Sequence, residues 1–177
     1  KKGIEIITES LMIFVKGCIA RGVDGFYHST QGGETERFEG SPVFEECIKP
    51  YDLALMNKAN ERCAFNILHV CDYAGSYTDL TPFLDYPGDV VNSSLRVGEE
   101  MLTPKEIAAL FQRPFMGGLD RHGIITRGEK SEIEEAVETV CENAPDKFML
   151  AADCTVPSEI NRENLKTAID AAHRYQR

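Results

Sequence analysis

The chain has 177 residues, 42% of them hydrophobic and 27% charged, with 14 Gly and 8 Pro. These proportions exclude a collagen-like, low-complexity or wholly disordered chain, and the length is enough for one domain with a buried core. The formal net charge of −10 argues against general nucleic-acid binding and against an anionic membrane surface, and no apolar run reaches the roughly 18 residues of a membrane span.

The chain opens Lys1-Lys2-Gly3, without an initiating Met, and reads as a helix already in progress; a piece of a longer protein is expected. Ile7, Leu11, Met12, Val15 and Ile19 recur at helical spacing. Glu5, Glu9 and Lys16 interrupt the apolar residues, so the segment is no signal-peptide core. A turn at Gly22-Val23-Asp24 leads to a first strand over 25–29. A Gly- and Glu-rich loop over 31–40 precedes Ser41-Pro42, a helix-start signal. That helix runs towards Asn60, with Pro50 expected to kink or divide it.

A second strand covers 64–71, and a short helix follows at 78–84. A third strand covers 89–93. Thr103-Pro104-Lys105-Glu106 is a capping box opening a helix through Phe111, and a fourth strand spans 114–119. Ser131-Glu132-Ile133-Glu134 reads as a second box, with Ile133, Val137, Val140 and Cys141 as the buried stripe of its helix. A fifth strand covers 147–152. Asn161 caps a last helix carrying Leu165, Ala168, Ile169 and Ala172.

Strands alternating with helices require parallel pairing. Neither a Gly-x-Gly-x-x-Gly after a strand nor a phosphate-cradling Gly-x-x-x-x-Gly-Lys-Ser/Thr is present, so a nucleotide-binding sheet has no support. The expected fold class is therefore α/β: a single partial domain over 1–177, the carboxy-terminal portion of a (β/α)8 TIM barrel, with about five parallel strands and flanking helices. Such a portion leaves strand edges and apolar faces open, so self-association or a missing amino-terminal half is expected.

The six cysteines lack the spacing of a disulfide framework, which favours a reducing, cytoplasmic location. Cys18, Cys47 and Cys141 fall on apolar helix faces and read as small buried hydrophobes. The others invite chemistry, because functional groups of such barrels gather at the carboxy-terminal strand ends. His69 and Cys71 are i and i+2 on one strand and point to one face, while Cys154 arrives 83 residues later at the end of another. One imidazole and two thiolates suit Zn²⁺ and leave a fourth position for substrate; two buried cysteines beside a satisfied histidine is the plain alternative. Ser29 and Gln31 are candidates for holding a substrate carboxylate, or are turn chemistry. His28 and His122 read as loop histidines, and Asp72, Asp120 and Asp153 as partners orienting His69 or as loop caps.

At these residues the sequence resembles the uroporphyrinogen decarboxylase superfamily. The resemblance is carried by Gly25-Phe26-Tyr27-His28-Ser29, the helix from Phe44 to Pro50-Tyr51, and Ile67-Leu68-His69-Val70-Cys71. It continues through Gly117-Gly118-Leu119-Asp120, Ala152-Asp153-Cys154-Thr155-Val156-Pro157 and Glu163-Asn164-Leu165. It implies a (β/α)8 barrel of roughly twice this length.

Two branches compete. The resemblance to zinc-dependent corrinoid methyltransferases implies a metal site of His69, Cys71 and Cys154, a small-molecule thiol substrate, and a methyl donor corrinoid on a partner protein. That branch usually carries Gly-Cys-Gly at the last cysteine, where Asp153 and Thr155 stand here. The resemblance to true uroporphyrinogen decarboxylases implies a metal-free carboxy-lyase of porphyrin biosynthesis acting on a tetrapyrrole, with Ser29 matching a substrate-contacting serine. That branch uses an aspartate from the other barrel half and tends to carry Gly-His-Gly near the last strand. A third reading is an inert half-barrel docking module.

Overall fold

The computed structural model describes residues 1–34, 37 and 41–175; five residues of the predicted 31–40 loop (35, 36, 38, 39 and 40), together with 176 and 177, lie outside the described residues. The chain divides into two compact units, Lys1–Val91 and Asn92–Arg177.

In the first unit, helix α1 (Lys2–Ala20) leads to strand β1 (Tyr27–Thr30), helices α2 (Val43–Cys47) and α3 (Lys49–Asn60), strand β2 (Ile67–Val70), a 3-10 turn (Thr81–Phe83) and strand β3 (Val90–Asn92), which reaches the division. The expected single helix towards Asn60 is two helices. The break falls at Ile48, and Pro50 sits in the first turn of α3, where its missing N–H costs nothing. Strands β1 and β2 pair in parallel, with Ser29 opposite His69 and Thr30 opposite Val70. Leu68 and Val70 are buried on one face of β2. An aromatic cluster fills the core of this unit: Phe83 lies 5.1 Å from Phe44, 5.3 Å from Tyr77 and 5.6 Å from Tyr86 between ring centroids.

Helix α1 packs on α3 but buries no residue fully. Ile4, Thr8, Met12, Val15 and Ile19 form its half-buried stripe, whereas Ile7 and Leu11, expected on that stripe, are exposed along with Ile6, Ile13 and Phe14. The helix is apolar around most of its circumference, so its periodicity selects no unique face.

The second unit holds a small antiparallel hairpin, β4 (Arg96–Val97) and β5 (Glu100–Met101), then α4 (Pro104–Phe111), β6 (Phe115–Leu119), α5 (Ile124–Arg127), α6 (Lys130–Glu142), β7 (Met149–Ala152) and α7 (Arg162–Arg174). The Thr103/Glu106 capping box is present at α4. At α6 the box is formed by Glu129 and Glu132, two residues before the expected one at Ser131. Asn161 caps α7 by accepting from the Glu163 N–H. Leu119, Ile125, Ile133, Val137, Cys141, Ala168 and Ala171 form the core; Ile169, expected inside, is exposed.

The five longer strands form one sheet in the order β1-β2-β3-β6-β7, flanked by helices, and β6 pairs with β7 in parallel as β1 does with β2. Among the described residues no helix is long and apolar enough to cross a membrane, and no disulfide joins any of the six cysteines.

Candidate metal centre

Alternation along β2 decides what its residues can do. With Leu68 and Val70 committed to the apolar side, His69 and Cys71 project from the opposite face. Cys71 lies just past the strand, and its N–H donates to the Thr30 carbonyl at 3.0 Å, extending the parallel ladder by one step. Its own carbonyl accepts from the Tyr77 hydroxyl at 2.9 Å. Burial, with the nearby Glu34 carboxylate second, pushes the Tyr77 phenol far above its usual range, so the hydroxyl stays a donor. On β1, the Tyr27 ring stacks on the His69 imidazole, centroids 5.3 Å apart and planes at 29°. Ser29, opposite His69, is exposed on the same face. The Gln31 amide donates from Nε2 to the Cys71 sulfur at 3.0 Å.

Cys154 lies two residues beyond the end of β7, and a different set of contacts holds the segment that precedes it. The Asp153 N–H donates to the Leu119 carbonyl at 2.9 Å. Its carboxylate accepts twice from Arg121, from the backbone N–H at 2.9 Å and from the guanidinium at 3.0 Å. Buried Asn92 donates through its side-chain amide to the carbonyls of Met116 at 2.9 Å and Ala152 at 3.2 Å. Cys154 therefore follows directly on a peptide segment fixed from three sides.

His69, Cys71 and Cys154 each offer one donor atom, and these atoms lie within 4.8 Å of one another, with all three residues buried. A tetrahedral zinc with bonds of about 2.3 Å to sulfur and about 2.1 Å to nitrogen holds its ligand atoms about 3.5–3.8 Å apart. The donor set and its spacing thus fit that ion with small side-chain shifts.

The remaining candidates sort by face and environment. His28 points away from this site, its Nε2 3.9 Å from the Asp52 carboxylate, which also accepts from the hydroxyls of Thr30 and Tyr86. The His122 N–H donates to the Asp120 carboxylate at 2.8 Å in an exposed turn. Asp72 closes a turn through its carbonyl, which accepts from the Gly75 N–H at 3.3 Å. Sequence reasoning missed the supporting roles of Asn92, Tyr77 and Arg121. No periodicity reports them, since each acts by hydrogen bonds to residues distant in sequence or across a turn.

A family model, uroporphyrinogen decarboxylase (URO-D), matches residues 1–175. The chain belongs to this family. No protein of curated function matches it. Among solved structures, a methyltransferase from Methanosarcina mazei is similar with a TM-score of 0.72 and 16% sequence identity, over 96% of this chain and 47% of that one. At that identity the likeness is one of fold. The URO-D fold is a TIM barrel, and this chain carries part of it, spanning about half the length of the methanogen protein.

Proposed function

We propose that this URO-D family chain contributes a zinc site to an enzyme that moves a methyl group from a methylated corrinoid, carried on a partner protein, to a small-molecule thiol. The observation that carries the reading is the grouping of one imidazole and two thiols, all buried, within 4.8 Å. A set of two sulfurs and one nitrogen is chemically suited to zinc and leaves a position open. The fold likeness to a protein described as a methyltransferase supports the same branch.

In this reading His69, Cys71 and Cys154 hold Zn²⁺, which when bound supplies Lewis-acid activation of the substrate thiol. The chain's own groups prepare the site. The Tyr27 ring fixes the plane of the His69 imidazole. Tyr77 anchors the Cys71 backbone, and the Asp153–Arg121 pair holds the turn that presents Cys154. Ser29, exposed on the same face of β1, is positioned for a polar group of the substrate. With the metal bound, the thiol would release its proton to solvent and be held as a thiolate, the nucleophile that a methyl group delivered by a corrinoid would require.

The direct test is zinc content of purified protein beside a Cys71→Ser variant. The reading expects about one zinc per chain and its loss in the variant. Equal zinc in both removes the site. A second reading, metal-free decarboxylation of a tetrapyrrole with Ser29 at a substrate carboxylate, is favoured by the name of the matching family. Loss of carbon dioxide from uroporphyrinogen by metal-stripped parent protein would select it.

A further inference from the structure

The loop after β1 begins with a side chain whose position the substrate alone does not explain. Thr30 pairs with Val70, and the Cys71 N–H continues that ladder onto the Thr30 carbonyl, so Gln31 stands beside Cys71 on the same side of the sheet. Its Nε2 lies 3.0 Å from the Cys71 sulfur. The next residues leave the loop little freedom. Gly32 has φ +95°, and its N–H donates at 2.7 Å to the carboxylate of Glu34, a side chain buried within the loop. A Cβ on Gly33 would stand 2.8 Å from Phe83 and 3.2 Å from Phe44, so the backbone is pressed against the aromatic core. The amide of Gln31 is therefore aimed at sulfur by a built loop.

We infer that Gln31 is a positioning residue for the metal centre: its amide N–H donates to the Cys71 sulfur, draws electron density from it, and sets both the strength of the metal–sulfur bond and the orientation of the ligand. The inference rests on the zinc reading above and deepens it, because it reassigns a polar group expected at the substrate to the metal ligand itself. Groups that hydrogen-bond to metal ligands commonly change metal affinity by about 10–100-fold when removed.

The test uses the full chain, with Gln31→Glu, which keeps the shape and removes the donor, and Gln31→Leu, which removes all polarity. Zinc affinity is read by competition with a chromophoric chelator, and the sulfur-to-metal charge-transfer band is read after substitution with Co²⁺. Both variants are expected to keep the wild-type circular dichroism and to move the charge-transfer band to longer wavelength as the sulfur becomes a better electron donor. Gln31→Leu, which brings no carboxylate of its own to the ion, is expected to bind zinc about 10–100-fold more weakly because the ligand loses its orientation. An unchanged band energy in both variants overturns the inference, whether or not affinity falls, while stoichiometric zinc in the wild type leaves the site reading standing. A wild-type protein that takes up no zinc overturns both.

Discussion

The guanidinium of Arg121 lies 3.0 Å from the Asp153 carboxylate, and the backbone N–H of the same arginine donates to the other carboxylate oxygen at 2.9 Å. Both residues are buried, so one aspartate neutralises the charge and caps the strand end that precedes it in the sheet. Removing one partner of a buried pair leaves a charge without compensation and costs about 3–5 kcal/mol. Asp153→Ala is accordingly expected to lower the unfolding free energy by that amount in urea titrations, and Asp153→Asn by less, because the amide oxygen still accepts the backbone N–H. Because Cys154 is the next residue, zinc content is expected to fall further than in a surface variant such as Glu138→Ala.

Two buried phenols give the protein an alkaline limit. Desolvation raises Tyr77 and Tyr86 far above the ordinary tyrosine value, with the Glu34 carboxylate adding to the first and the Asp52 carboxylate to the second. A raised folded-state value means that the unfolded chain releases these protons first. The stabilisation is complete below about pH 10 and declines as pH rises beyond it, by up to about 1.4 kcal/mol per pH unit for each phenol. Thermal melts between about pH 8 and about pH 11 are expected to show a falling midpoint that Tyr77→Phe makes shallower. A midpoint as steep in the variant as in the wild type would count against this assignment.

Strand β6 depends on two glycines. Gly117 and Gly118 have φ +149° and +102°, and an added Cβ would stand 2.7 Å from Phe115 at the first and inside the contact distance of Val140 at the second. Gly118→Ala therefore combines left-handed backbone with a steric clash against α6. Each such strained residue costs about 1–3 kcal/mol, and packing overlap adds about 1–3 kcal/mol. Equilibrium unfolding is expected to show a loss of about 2–6 kcal/mol, and a Gly118→Ala/Val140→Ala double variant is expected to recover only the clash part of it, leaving the backbone strain.

Much of the fold was legible because its signals are local. The Thr103/Glu106 box, the Asn161 cap and the Ile133, Val137, Cys141 stripe each depend on residues within a turn or two, and each is present. Where two local patterns overlap, the sequence cannot choose. Glu129 with Glu132 and Ser131 with Glu134 fit the same spacing, and the helix starts at the earlier one. The hairpin of β4 and β5 escaped notice because two-residue strands carry no alternation, leaving Gly98 at φ +60° as its main trace. At the site, His69, Cys71 and Cys154 were recognisable by residue type and by their place at strand ends. The hydrogen bonds from Gln31 to Cys71, from Asn92 to Ala152 and from Arg121 to Asp153 are products of folding, and no spacing in the chain announces them.

The most direct measurement is X-ray absorption at the zinc edge on metal-loaded protein, compared with Cys154→Ser. Two sulfur scatterers at about 2.3 Å and one imidazole nitrogen at about 2.1 Å in the wild type, with one sulfur lost in the variant, is the result expected of a centre made by His69, Cys71 and Cys154. A coordination shell of oxygen and nitrogen without sulfur, or a spectrum unaltered by the substitution, would contradict it.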